Sequence, residues 1–120
     1  QINNNEPITI VGKGEQRRDF THVNDIIDAL YKVSLSKYKQ EDAWELGTGI
    51  NYSITELAKM FQDKFNCEIL YLKDQPGNYR ATLCENEDAI DILGWKPQDR
   101  LLYYINKLEK DENKLCNYSL

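Results

Sequence analysis

Arg17 and Arg18 follow the run Gly12-Lys13-Gly14-Glu15-Gln16 and precede Asp19. A guanidinium presents planar, paired donors that match phosphate oxygens, so an arginine held rigidly beside a turn can clamp a diphosphate. The plainer alternative is a solvated pair with one arginine matched to Asp19, Asp25 or Asp28. A further arginine, Arg80, closes the turn-like run Pro76-Gly77-Asn78-Tyr79. The single histidine, His22, is of the side-chain type most used as a general base but has no Ser or Cys partner at a recognisable spacing. One histidine cannot build a metal site, so packing or a hydrogen bond is expected of it. Gly47-Thr48-Gly49 invites a dinucleotide reading, yet the third glycine of G-x-G-x-x-G would fall at Tyr52, and no GK[ST] is present. That loop is expected to be a tight turn. Cys67, Cys84 and Cys116 lie far apart, without a CxxC pair. Buried or half-buried free thiols, rather than zinc ligands or a disulfide, are expected, which points to the cytoplasm. No catalytic residue and no metal ligand is assigned.

The elements that must position these residues alternate strand and helix. The β-branched run 8–11 reads as a strand ended by Gly12, and 20–23 as a second extended piece. Ile26, Leu30 and Val33, widened by Ile27 and Tyr31, predict a helix over 24–37, with a polar connector after it over 39–42. Residues 43–46 are a strand candidate. Ser53 and Glu56 form an S-x-x-E capping box ahead of the stripe Ile54, Leu57, Ala58, Phe61 and Phe65. Residues 68–72 read as a strand, and 81–84 as extended. Asn86 is the expected cap of a short helix that buries Ile90 and Leu93 and ends near Gly94, with Trp95 and Pro97 covering its end. A last helix from Asp99 carries Leu101, Ile105 and Leu108 on one face. The fold class is α/β (mixed α+β), a small sheet of short strands with three to four packed helices. Residues 1–6 form a flexible lead-in, 7–108 the working region and 109–120 a charged tail.

At 120 residues and 41% hydrophobic content, the chain is expected to be one globular domain rather than disordered. Its net charge of −5, with both signs interspersed, argues against a nucleic-acid or anionic-membrane face. Any phosphate site must therefore be built locally, against the global charge. No apolar run reaches the roughly 20 residues needed to cross a bilayer. The chain begins at Gln1 rather than Met, from which a processed, cloned or incomplete product is expected.

The run from Gly12 to Asp25, with a helix after it, resembles the G-D-G-x-Q-x-R-D-F-x-x-V-x-D signature of the NAD-dependent epimerase/dehydratase family, the extended short-chain dehydrogenases that act on nucleotide sugars. The resemblance is to that family's C-terminal, substrate-side region. It implies that Arg18, immediately before Asp19, reaches the pyrophosphate, and that Ile8, Thr9 and Ile10 help hold the base through backbone groups. Glu45-Leu46-Gly47-Thr48-Gly49 with Ser53-Ile54 is similar to the family's structural N-x-G-T-G-x-x-x-S-I run, with Glu45 in place of Asn. Gln75 through Arg80 resembles R-P-G-x-x-R; Gln75 brings a donor but no charge, whereas Arg80 keeps the second basic position. Leu93-Gly94-Trp95-Lys96-Pro97 matches L-G-W-x-P, whose tryptophan packs.

The family's chemistry needs a Rossmann βαβ unit for NAD and a Tyr-x-x-x-Lys pair for proton transfer. Tyr103 and Lys107 have the spacing but fall in the last helix, and no Gly-rich cofactor fingerprint is present. The resemblance thus implies a part that binds a nucleotide-diphosphate sugar, binds no cofactor itself, and is inactive without the Rossmann half that holds NAD. That half, or a second copy in a dimer, would cover the apolar surface left exposed. Two alternatives stay open: a free-standing binding module, and an assembly partner for a separate Rossmann chain. Epimerase, dehydratase, decarboxylase and reductase chemistry, and the identity of base and sugar, are decided by residues outside these motifs.

Overall fold

The computed structural model describes residues 1–38, 43–77, 79–85 and 87–110. Among them are four strands, β1 (Ile8–Val11), β2 (Arg17–Asp19), β3 (Asn51–Ser53) and β4 (Ile69–Leu72). Four α-helices accompany them, α1 (Val23–Leu35), α2 (Ile54–Phe65), α3 (Asp88–Leu93) and α4 (Leu101–Lys107). The class is the mixed α/β arrangement expected. The described residues divide into two compact units: those within Gln1–Gln16 and Ser53–Arg80 with those from Leu102 to Lys110, and those within Arg17–Tyr52 and Ala81–Leu101.

In the first unit, β1 and β4 pair in parallel, with Ile8 opposite Ile69 and Val11 opposite Leu72. β-Branched side chains suit this half-buried pleat. Ile10 is buried, and α2 packs on β1 with Ala58 turned inward. The capping box starts α2 as its sequence predicts: Ser53 Oγ accepts from Glu56 N–H at 3.0 Å, and Glu56 Oε2 accepts from Ser53 N–H at 2.6 Å. Asn66 ends it in the left-handed conformation at φ 49°. Ile105 of α4 is fully buried. That helix starts at Leu101 rather than Asp99, whose carboxylate accepts from Leu101 N–H at 3.4 Å. Residues 2–4 of the lead-in form a 3-10 turn, and the Gln1 side chain bonds Thr9.

In the second unit, β2 pairs with β3, and Arg17 also bridges Ala81 in parallel. Trp95 is 1% exposed, packed against Ala29 of α1 and Ala89 of α3 with Trp44, Leu46 and Leu93 around it. Two alanines let the helices approach closely enough to share one indole. The indole Nε1–H donates to the Asp25 carbonyl at 2.8 Å. The buried Asp25 carboxylate lies 3.3 Å from Arg100 and accepts from Gln98 N–H at 3.3 Å.

Several expectations are corrected. The extended piece placed at 20–23 lies earlier, at Arg17–Asp19, because His22 caps α1 and Val23 is already helical. On α1 the buried line is Asp25 and Ala29; Ile27, Leu30 and Tyr31 of the expected stripe are 57%, 60% and 61% exposed. Residues 43–46 form no strand, and Trp44 and Leu46 pack against the core instead. On α3 it is Ala89 that is buried, while Ile90 is exposed and Leu93 half-buried. Asn86, the connector 39–42 and Cys116 lie outside the described residues. No helix among the described residues is long and apolar enough to cross a membrane.

Candidate functional site

The first unit builds its site from the loops that leave two parallel strands. β1 runs into a loop whose glycines, Gly12 and Gly14, take φ of 69° and 71°, a region open to glycine at little cost. Gly12 N–H donates to the Leu72 carbonyl at 3.1 Å, holding the loop against the end of β4. The first turn of any helix has N–H groups without intrahelical acceptors. Here the loop supplies them: Ile54 N–H donates to Gln16 O and Thr55 N–H to Gly14 O, both at 3.0 Å. The Thr55 hydroxyl donates to Lys13 O at 3.2 Å. A Cβ on Gly14 would meet Thr55 Oγ1 at 2.4 Å, and one on Gly12 would meet Asp74 Oδ1 at 2.7 Å. The loop after β1 is thus pressed between α2 and the loop after β4.

Between these two loops opens a polar cleft of about 790 Å³, lined by Lys13, Glu15 and Gln16 on one loop and by residues including Asp74, Gln75, Tyr79 and Arg80 on the other. It lies beyond the carboxyl ends of β1 and β4, where open parallel sheets bind ligands, and its size suits a small molecule. Asp74 Oδ1 accepts from Gln75 N–H at 2.9 Å. Among the described residues, the Arg80 guanidinium has no hydrogen-bond or ion-pair partner.

Of the residues singled out by sequence, Gln75 and Arg80 share this cleft. Ile8, Thr9 and Ile10 line a different, apolar groove of about 450 Å³, together with Leu57, Phe61 and Phe65 of α2. Within it, Thr9 N–H already donates to Gln1 Oε1 at 3.2 Å, and Ile8 N–H to Glu68 O at 2.8 Å. Arg18 belongs to the second unit, half-buried on β2, with Nη1 donating to Arg17 O at 2.7 Å. Its neighbour Arg17 is spent on structure: Nε donates to Asn51 Oδ1 and Nη2 to Asn51 O, each at 2.8 Å, fastening β2 to β3. His22 caps α1, its Nδ1 accepting from Asn24 N–H at 3.2 Å. Lys107 Nζ sits 4.4 Å from the Tyr103 ring centroid, a cation–π contact on α4. Lys13 was not singled out; the signal that could have found it is a cation set between two turn glycines after a strand.

The Gly47-Thr48-Gly49 loop is organised around Asp19. Oδ1 accepts from Thr48 N–H at 3.0 Å and Thr48 Oγ1 at 2.7 Å; Oδ2 accepts from Gly49 N–H at 3.0 Å and, more weakly, Cys84 N–H at 3.5 Å. Burial alone would raise the Asp19 pKa, but these donors outweigh it and hold the carboxyl below its ordinary value. The loop's N–H groups are consumed by this carboxylate, so it does not fit the role of a dinucleotide phosphate cradle.

The model of the NAD dependent epimerase/dehydratase family matches residues 1–47. Over that stretch the chain is similar to NAD-dependent epimerases and dehydratases. The dTDP-4-dehydro-6-deoxyglucose reductase of Escherichia coli is 29% identical over 112 residues, covering 92% of this chain and 35% of that protein. The UDP-N-acetylglucosamine 4-epimerase of Methanobrevibacter ruminantium, solved with UDP-N-acetylmuramic acid, is 26% identical with a TM-score of 0.77 over 86% of this chain and 33% of its own. The UDP-glucuronic acid 4-epimerase of Bacillus cereus, solved with UDP-glucuronic acid and NAD, shares the fold at a TM-score of 0.77 and 24% identity, covering 87% of this chain and 35% of its own. This chain spans about a third of the length of these epimerase and reductase relatives.

Proposed function

We propose that residues 7–108 are the nucleotide-sugar-binding, C-terminal part of an NAD-dependent epimerase/dehydratase, and that the 120 residues alone turn over no substrate. The observation that carries this reading is the polar cleft beyond β1 and β4, where Arg80 stands without a partner among the described residues. Arg80 offers paired donors to a phosphate, and Gln75 adds a neutral donor beside it. The β1 residues Ile8, Thr9 and Ile10 are assigned to the nucleoside, with Thr9 N–H exchanging its bond to Gln1 for one to the base. Arg18 is assigned, separately, a phosphate contact. NAD would be held by the Rossmann half of the intact enzyme, where it would supply hydride transfer.

Arg80→Ala is expected to weaken binding of UDP-, TDP- or GDP-sugars roughly tenfold, as loss of one charge-assisted hydrogen bond implies. Isothermal titration calorimetry reads this directly. Affinity undiminished by the substitution would remove Arg80 from the site.

The partners are inferred from the surface of α1. Val23, Ile27, Leu30, Tyr31 and Leu35 are all more than half exposed and recur at helical spacing. A continuous apolar face of this kind marks a contact surface. We assign it to the cofactor half, and expect the isolated chain to self-associate through it. Sedimentation velocity should show association rising with concentration, and Leu30→Glu should return the chain to monomer. A wild-type chain that stays monomeric at millimolar concentration would contradict this.

A further inference from the structure

We infer that Lys13 is a second phosphate-binding residue of the cleft, supplying from the β1 loop the positive charge that Gln75 does not bring. The inference rests on the reading of this cleft as a nucleotide-diphosphate site. A nucleoside diphosphate sugar carries two phosphate charges, and within this cleft, which Arg18 does not line, Arg80 answers only one of them. Lys13 is the other cation lining the cleft. Like Arg80, it has no ion pair or side-chain hydrogen bond among the described residues.

Its backbone is unusually well held for a surface lysine. Gly12 before it is tied to the Leu72 carbonyl, its own carbonyl accepts from the Thr55 hydroxyl, and Gly14 after it accepts from Thr55 N–H. The loop cannot shift toward α2 or toward the β4 loop, because the spaces beside Gly14 and Gly12 are filled by Thr55 and Asp74. A flexible ammonium on a fixed Cα reaches a phosphate at a lower ordering cost than one on a mobile loop. Two carboxylates share the cleft. Asp74 is turned to the Gln75 amide, and Glu15 is exposed to water, where its repulsion of a phosphate is screened. With two cations and two carboxylates on its lining, the cleft favours a ligand carrying two negative charges, a diphosphate, over a single inorganic phosphate.

The test is calorimetric titration of the 120-residue chain with UDP, pyrophosphate, phosphate and uridine. Lys13→Ala should weaken UDP and pyrophosphate roughly tenfold while leaving uridine unchanged, and Lys13→Arg should retain most of the affinity. Adding Gln75→Arg to Lys13→Ala should restore binding, since the charge is then returned to the facing loop. Circular dichroism guards against misfolding, and Lys13→Gln, which keeps the length of the side chain, serves if alanine perturbs the loop. If Arg80→Ala weakens UDP and neither Lys13→Ala nor Lys13→Gln does, the inference is overturned and the cleft reading stands. If UDP does not bind the wild-type chain at all, both are overturned.

Discussion

Replacing Trp95 with alanine is expected to remove about 3–5 kcal/mol of stability, the cost of deleting a large buried aromatic and leaving a cavity. The indole is 1% exposed and fills the space that Ala29 and Ala89 leave between α1 and α3. Neither alanine can expand into the void. The substitution also strips the Asp25 carbonyl of its 2.8 Å donor inside the core. Trp95→Phe keeps most of the apolar volume and loses this hydrogen bond, so about 1 kcal/mol is expected for that change, because the Asp25 carbonyl keeps its place in the α1 ladder. Urea unfolding monitored by circular dichroism measures both. A loss below about 1 kcal/mol for Trp95→Ala, the scale of a surface change, would show that this core does not hold the second unit together. Since natural domains are stable by about 5–15 kcal/mol, the alanine variant is expected to be partly unfolded at physiological temperature.

Asp19→Asn is expected to cost about 2 kcal/mol at neutral pH, because one carboxylate oxygen becomes an NH₂ facing N–H donors. Oδ1 of Asp19 accepts from Thr48 N–H and from the Thr48 and Thr21 hydroxyls, and Oδ2 from Gly49 and Cys84 N–H, so neither amide orientation satisfies them all. The site has no slack: a Cβ on Gly47 would lie 2.3 Å from Cys84 Cβ and 2.7 Å from Asp19 Oδ2. The pH dependence carries a definite sign. Burial works against the charged form but the hydrogen bonds from Thr48, Gly49 and Cys84 prevail, so the folded pKa is depressed below the unfolded value. The stabilisation is then present above the ordinary carboxylate range and is lost as pH falls through the folded pKa. The variant lacks that contribution. Stability curves of wild type and variant should converge on acidification, and parallel curves would contradict the assignment.

What the sequence made legible was local and chemical. The Ser53–Glu56 box, the helix end at Gly94 and the short apolar runs of β1 and β4 depend on neighbouring residues, and these features stand close to where they were expected. Apolar periodicity misled where tertiary packing departs from hydropathy. On α1 the inward line passes through Asp25, which is held inside by Arg100 and Gln98, from residues far along the chain. No local pattern reveals that exchange, and the apolar side of the same helix is left exposed. The strand pattern of 43–46 lacked a partner strand among the described residues, and its large side chains turned to the Trp95 core instead. The cleft was half legible: Gln75 and Arg80 were marked by a motif, but Lys13 comes beside them only because β1 and β4 end on the same side.

Binding of a nucleotide-sugar diphosphate beyond β1 and β4, on which the proposed function depends, is tested most directly by a ¹H–¹⁵N NMR titration with UDP-glucose. Saturating shifts are predicted for amides of Gly12 to Gln16 and of Asp74, Gln75, Gly77, Tyr79 and Arg80, with free glucose producing none. Absence of shifts up to millimolar ligand, or shifts that leave both of these loops untouched, would contradict it.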